Sequence, residues 1–169
     1  AGGDARLITI DPYTGAGTLV GPLLTGTQRS GAADLAFDGA TLIGWRQKGM
    51  VTINRTDAQV TPGVQTLPAT LATQGCGVAG SGGVFLVAPA RANGTLFRFS
   101  TASGVATAGP TMNSTSVPVN SMTFVGTTLY ASVNTSTTVT TLVTINATTG
   151  TIQTVGTLPA KVDAIEGLP

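Results

Sequence analysis

The feature that most constrains this chain is a short segment that occurs four times. Leu7-Ile8-Thr9-Ile10-Asp11 recurs as Met50-Val51-Thr52-Ile53-Asn54, Leu96-Phe97-Arg98-Phe99-Ser100 and Leu142-Val143-Thr144-Ile145-Asn146, at offsets of 43, 46 and 46 residues. Each copy alternates large apolar with more polar residues, as a half-buried strand requires. Each ends in Asp, Asn or Ser, whose side chain bonds to the backbone of a following turn. Gly15, Asp57, Gly104 and Gly150 stand at the expected turn positions and tolerate the left-handed conformation that closes a short hairpin loop. A return strand is expected over 19–21, 60–63, 105–109 and 152–156. Gly21, Gly63, Gly109 and Gly156 near its end mark a bulge or a close backbone approach.

A second pair of strands falls between these hairpins. It reads Asp34-Leu35-Ala36-Phe37 then Thr41-Leu42-Ile43-Gly44, Cys76-Gly77-Val78-Ala79 then Val84-Phe85-Leu86-Val87, and Ser121-Met122-Thr123-Phe124 then Thr128-Leu129-Tyr130-Ala131. Four strands, A to D, at a period of about 45 residues match the four-stranded antiparallel blade of a β-propeller, which buries its apolar faces only against neighbouring blades. The pattern resembles extracellular propellers with repeats of the form LYxIDxxTGxxTxVGxL … LAFdxxGxLYA, and is similar to YVTN or NHL-type blades. The expected fold is therefore an all-β propeller domain or propeller segment over 1–169. It has four repeats, the first and last incomplete: a strand C-D hairpin at 7–24, blades at about 31–68, 74–112 and 119–158, and a partial strand A at 162–169. Three arrangements suit such ends: an interlocked four-bladed ring, a piece of a six- to eight-bladed protein, or a subunit whose open edge a neighbour completes. The opening Ala1-Gly2-Gly3-Asp4 is no signal peptide; it suits either the residue after a cleavage site or the start of an excerpt.

Composition agrees with β structure: 31 Thr and 9 Ser supply polarity on a strand-forming backbone, while 23 Gly and 9 Pro punctuate turns. Only 9% of residues are charged and the net charge is +1, so nucleic acid is not an expected partner. No run approaches the roughly 20 apolar residues of a membrane span. The chain has no His, which removes Ser-His-Asp and Cys-His nucleophile systems and His-containing zinc sites. Its one cysteine, Cys76, makes no internal disulfide and is expected as a small buried hydrophobe, with an intermolecular disulfide as the alternative. Gly75-Cys76-Gly77-Val78-Ala79-Gly80 spells the dinucleotide pattern GxGxxG, but a strand rather than a helix follows, so small residues packing an inner strand explain it. Asp34, Asp38, Asp163 and Glu166 are the carboxylates near strand A termini. Asp34 and Asp163 are expected to bond to backbone between blades, and Asp38-Gly39 to form a turn. No catalytic residue, metal site or cofactor is expected.

Five of six Asn stand in Asn-x-Ser/Thr: Asn54, Asn93, Asn113, Asn134 and Asn146. With Ser and Thr this frequent, chance would place about one or two there, so N-linked glycans are expected, although Asn and Thr also favour turns. In the blade scheme Asn93, Asn113 and Asn134 lie on one face, and Asn54 and Asn146 on the other. Trp45-Arg46-Gln47-Lys48 sets the only Trp beside two cations, which nominates Trp45, Arg46 and Lys48 as contacts for a sugar ring or a protein partner. The alternative is a Trp covering a blade edge. The leading expectation is a non-catalytic extracellular or cell-surface glycoprotein, a structural or adhesive module that associates with itself or with other surface proteins and glycans. A lectin-like binding module is the alternative, and a polysaccharide-processing enzyme a third reading.

Overall fold

The computed structural model describes residues 5–46, 49–63, 75–81, 84–89, 94–113, 119–134, 136, 138–162 and 164–165. Among them there are sixteen strands and no helix. An N-terminal hairpin, β1 (Arg6–Ile10) and β2 (Gly17–Pro22), is followed by a short one, β3 (Leu24–Thr25) and β4 (Gln28–Arg29). Three four-stranded antiparallel meanders come next: β5 (Asp34–Asp38), β6 (Thr41–Arg46), β7 (Gly49–Ile53) and β8 (Val60–Pro62); β9 (Gly75–Ser81), β10 (Val84–Pro89), β11 (Thr95–Ser100) and β12 (Val105–Thr111); β13 (Val119–Val125), β14 (Thr128–Asn134), β15 (Thr140–Ile145) and β16 (Ile152–Thr157). In each the spatial order follows the chain order.

The third strands close onto the fourth through a turn of one design. The residue ending each repeat motif accepts, at its carbonyl oxygen, the N–H four positions on: Gly15 to Asp11, Ala58 to Asn54, Gly104 to Ser100 and Gly150 to Asn146, at 2.8–2.9 Å. These four donors all have positive φ. Thus Ala58, not the expected Asp57, holds the left-handed position in the second repeat. Asp57 instead accepts the Gln59 N–H on its carboxylate at 2.9 Å. The glycines of the return strand behave as expected in three of four repeats. The ladder slips beside Gly21, Gly109 and Gly156, giving bulges, whereas the β7–β8 ladder ends at Pro62, before Gly63. At Gly109 a Cβ would lie 2.6 Å from the Leu96 carbonyl oxygen, so the bulge brings two backbones too close for any side chain. The β3–β4 hairpin was not expected; its one signal is Gly26, at φ 62°.

Three apolar layers alternate with the sheets. Ala58, Val60, Val51 and Ile53 pack with Leu7 and Val20 between the N-terminal hairpin and the first meander. Ile43, Trp45 and Met50 pack with Val78, Phe97 and Phe99 between the first and second. Leu96, Met112, Met122, Leu129 and Val143 fill the space between the second and third. Each such side chain contributes about 1.5–3 kcal/mol by leaving water, and no single sheet has an interior of its own. The first strands of the three meanders are neighbours, with β9 touching both β5 and β13.

Candidate functional site

The first strands of the three meanders meet at one carboxylate. Asp34 opens β5 and is 8% exposed. Its Oδ2 accepts the Val78 N–H of β9 at 2.8 Å, and its Oδ1 accepts the Ser121 hydroxyl of β13 at 3.1 Å, so one side chain joins three sheets. Burial pushes its pKa up to about 7, against the opposing pull of the hydrogen bonds from Val78, Leu35, Ser121 and Met122. Ser121 Oγ, wholly buried, also accepts the Ile165 N–H at 3.3 Å. The same geometry therefore repeats: a polar side chain on one inner strand takes an amide 44 residues further on, Asp34 to Val78 and Ser121 to Ile165. Thr140, on the third strand β15, accepts the N–H of Val162, 22 residues further on, at 2.8 Å. Asp34 was expected to bond backbone of the next repeat and does so. Ser121 and Thr140 escaped sequence reasoning, although Ser121 occupies the Asp34 position of its own repeat.

Asp34 borders an open recess of about 490 Å³, otherwise lined by apolar groups that include Ala36, Phe37, Ala164 and Ile165. Acid–base chemistry there would need a second group. Asp38 is four residues along the same extended strand, roughly 13 Å away, beyond the roughly 5–9.5 Å that separates paired carboxylates in glycoside hydrolysis. Asp38 pairs with Thr41 across a tight turn in which Gly39 has φ 56°. Asp163 and Glu166 lie outside the described residues, as do Asn93 and Lys48. Cys76 belongs to β9, and its side chain is not among those described.

Trp45 is placed otherwise than a surface contact requires. It is 0% exposed, its ring meets Phe99 edge-on at 6.2 Å and 78°, and its Nε1–H is buried without a hydrogen-bond partner among the described residues. The alternation of β6 turns it into the layer between the first and second meanders, where apolar burial outweighs the unmade hydrogen bond. Its expected role as a ligand contact is corrected accordingly. Arg46, next along the strand, is half-buried and donates from Nη1 to Ser30 Oγ at 3.2 Å, fastening the β3–β4 hairpin region to β6.

The described sequon asparagines all use the carboxamide oxygen structurally, whereas N-linked glycans attach through nitrogen. Asn54 accepts Thr56 N–H at 2.8 Å, and Asn146 accepts Thr148 and Thr149 N–H at 2.9 Å each, on exposed hairpin turns. Half-buried Asn134 accepts the Thr140 hydroxyl at 2.6 Å. Exposed Asn113 accepts Ile152 N–H at 2.8 Å and donates its own N–H to Gly150. Asn113 therefore sits against the turn that carries Asn146, not on the opposite face. The bulged β12 delivers its end to the outer turn of the next meander.

Neither a protein-family profile nor a curated protein sequence matches the chain. Among solved structures it is similar to the extracellular domain of BT4673 from B. thetaiotaomicron, a protein assigned to the hybrid two-component systems. The likeness has TM-score 0.53 at 14% identity over 95% of this chain. The computationally designed proteins Ika4 and Ika8 each align at TM-score 0.45, with 10% and 12% identity, over 91% and 98% of this chain and 87% and 59% of theirs. The chain spans 23% of the BT4673 domain's chain, and what the two share is the fold.

Proposed function

We propose that the chain is a β-propeller segment of an extracellular, non-catalytic glycoprotein, in which stacked blades serve as a structural or adhesive module. The observation that carries this reading is the Asp34 junction, because one buried side chain joining the first strands of three meanders is what radially stacked blades need at their axis. The likeness to an extracellular domain supports an exported setting. The absence of His from the chain, and the engagement of both Asp34 oxygens in links between sheets, support a non-catalytic role. The sequons on exposed turns supply the glycan sites.

Peptide mapping of the natural protein tests it. Hexosamine-bearing peptides at Asn54 or Asn146 are expected; bare asparagine at all five sequons overturns the glycoprotein reading.

A further inference from the structure

The seams between successive meanders are built alike and filled differently at one place. Across the seam from the second meander to the third, Arg98 of β11 donates from Nη2 to the Ala147 carbonyl oxygen at 3.3 Å. Ala147 follows Asn146, which opens the β15–β16 turn. One repeat earlier Thr52 stands in the place of Arg98, paired with Ile43 and Thr61 as Arg98 is with Leu86 and Thr107. Thr101 stands in the place of Ala147, on a turn closed by the same bond, Gly104 N–H to the Ser100 carbonyl oxygen. Threonine is too short to repeat the reach of arginine, and the seam between the first and second meanders holds an open cleft of about 530 Å³. Buried Ile43, Met50 and Phe99 form its apolar wall, and Asp38, Thr52 and Thr101 line it as well.

Asp38 gives this cleft a charge that the filled seam lacks. It is half-buried, ends β5 and pairs with Thr41 across the tight turn, a position held by Ser81 in β9 and Val125 in β13. The cation of Arg55 lies over the Phe37 ring at 5.3 Å, and the alternation of β5 puts Phe37 on the opposite face from Asp38. Lys48 and Arg91 follow the far ends of β6 and β10, a strand length of roughly 17 Å from Asp38 and its counterpart Ser81. Residues 64–74, which follow the cleft's Gly63, contain no Lys or Arg. We propose that the cleft is a binding site for an alkylguanidinium ligand such as an arginine side chain, with its cation between Asp38 and the Thr101 turn and its stem along Ile43 and Met50. The occupant follows from Arg98, which the molecule itself seats at the equivalent seam, and from the carboxylate, which adds a charge-assisted bond where Arg98 has a neutral carbonyl. The volume is that of a small-ligand site, roughly 300–1,000 Å³. This rests on the repeat equivalence behind the propeller reading and adds a ligand to it.

The test is amide NMR of the full chain titrated with Nα-acetylarginine amide. Saturable shifts at Asp38, Thr52 and the turn 101–104 are expected, with a Kd on the order of 1 mM for so small a probe. The uncharged isostere Nα-acetylcitrulline amide should bind at least about tenfold more weakly, a factor that a lost charge-assisted bond supplies. Asp38→Asn should weaken binding as much, and Thr52→Arg, which places in the cleft the residue of the next repeat, should abolish it; both variants should keep the melting temperature. Agmatine separates the two sources of the ligand: weaker binding than the acetylarginine amide assigns it to a peptide arginine, tighter binding to a free guanidino amine. No saturable shift at the cleft, equal binding of the citrulline amide, or binding that both variants leave intact overturns the proposal. Failure of the propeller reading is seen separately in the same sample, as missing Overhauser contacts from Ser121 to Asp34 and Val78.

Discussion

The hairpin β1–β2 and the hairpin β15–β16 are built from the same local instructions and end in different physical states. Both carry apolar residues at alternate positions, both bulge before a glycine, and both close with an Asx-type turn. Asp11 accepts the N–H of Tyr13 and Thr14, as Asn146 accepts those of Thr148 and Thr149. Yet Val143 and Ile145 are core, while Ile8 and Ile10 face water. Local chemistry makes the strand and its turn; a neighbouring strand and a neighbouring sheet make the core. The contrast predicts which substitutions the chain notices.

The largest effect belongs to Asp34, which ties the three meanders and has no counterpart contact in β1–β2 among the described residues. Its folded pKa of about 7 lies above the ordinary carboxylate value of 3.8, so the folded state holds a proton that the unfolded state releases. The stability linked to that proton is complete below about pH 4 and is lost as pH rises through about 7, a decline on the order of 4 kcal/mol. Urea denaturation between pH 4 and 8 should trace that fall, and Asp34→Asn should flatten it. A wild-type profile that rises with pH over this window would mean that the hydrogen bonds to the carboxylate outweigh its burial.

Next come the paired isoleucines. Ile145→Ala removes a side chain from the layer between two sheets and should cost roughly 2–5 kcal/mol by denaturant titration, while Ile10→Ala should stay within about 1 kcal/mol. Equal losses would mean that Ile10 is covered in solution, and the contrast between the two hairpins would collapse.

How much of this was legible follows the same division. Strand positions, the meander order and the Asp34 bond to the next repeat are local or periodic features, and sequence reasoning reached them from the alternation of Ile, Val and Thr and the placing of Gly and Asx. For Trp45 the sequence left two readings, a ligand contact and a Trp covering a blade edge, because a Trp beside Arg46 and Lys48 reads as surface until Val78 of β9 and Phe97 and Phe99 of β11 are brought against β6. The nearness of Asn113 to the Asn146 turn was not reached either, since it depends on where the β12 bulge sends the chain. Ala58 was missed for a different reason: a left-handed turn position is sought among Gly, Asn and Asp, and Asp57 lay one residue away.

The turn glycines extend the comparison at smaller scale. Gly15 and Gly150 share a positive φ, at 70° and 75°, but a Cβ on Gly15 meets nothing within 4 Å, whereas one on Gly150 collides with the Thr111 carbonyl oxygen and the Met112 backbone. Gly15→Ala should therefore cost only the left-handed penalty, about 1–2 kcal/mol, and Gly150→Ala distinctly more, read as melting temperatures side by side.

Ala58 gives the smallest effect and the sharpest sign. It holds the same turn position at φ 59° with a methyl group that is 0% exposed, packed near Gly21 and Asp57 at the seam with the N-terminal hairpin. Ala58→Gly relieves about 1–2 kcal/mol of left-handed strain. It gives up about 0.8 kcal/mol of methyl burial and adds backbone freedom to the unfolded chain, worth about 0.4–1 kcal/mol. These terms nearly cancel, so the variant should melt within a few degrees of wild type, unlike Gly150→Ala. A loss above about 2 kcal/mol would mean that the methyl group is what joins the N-terminal hairpin to the first meander.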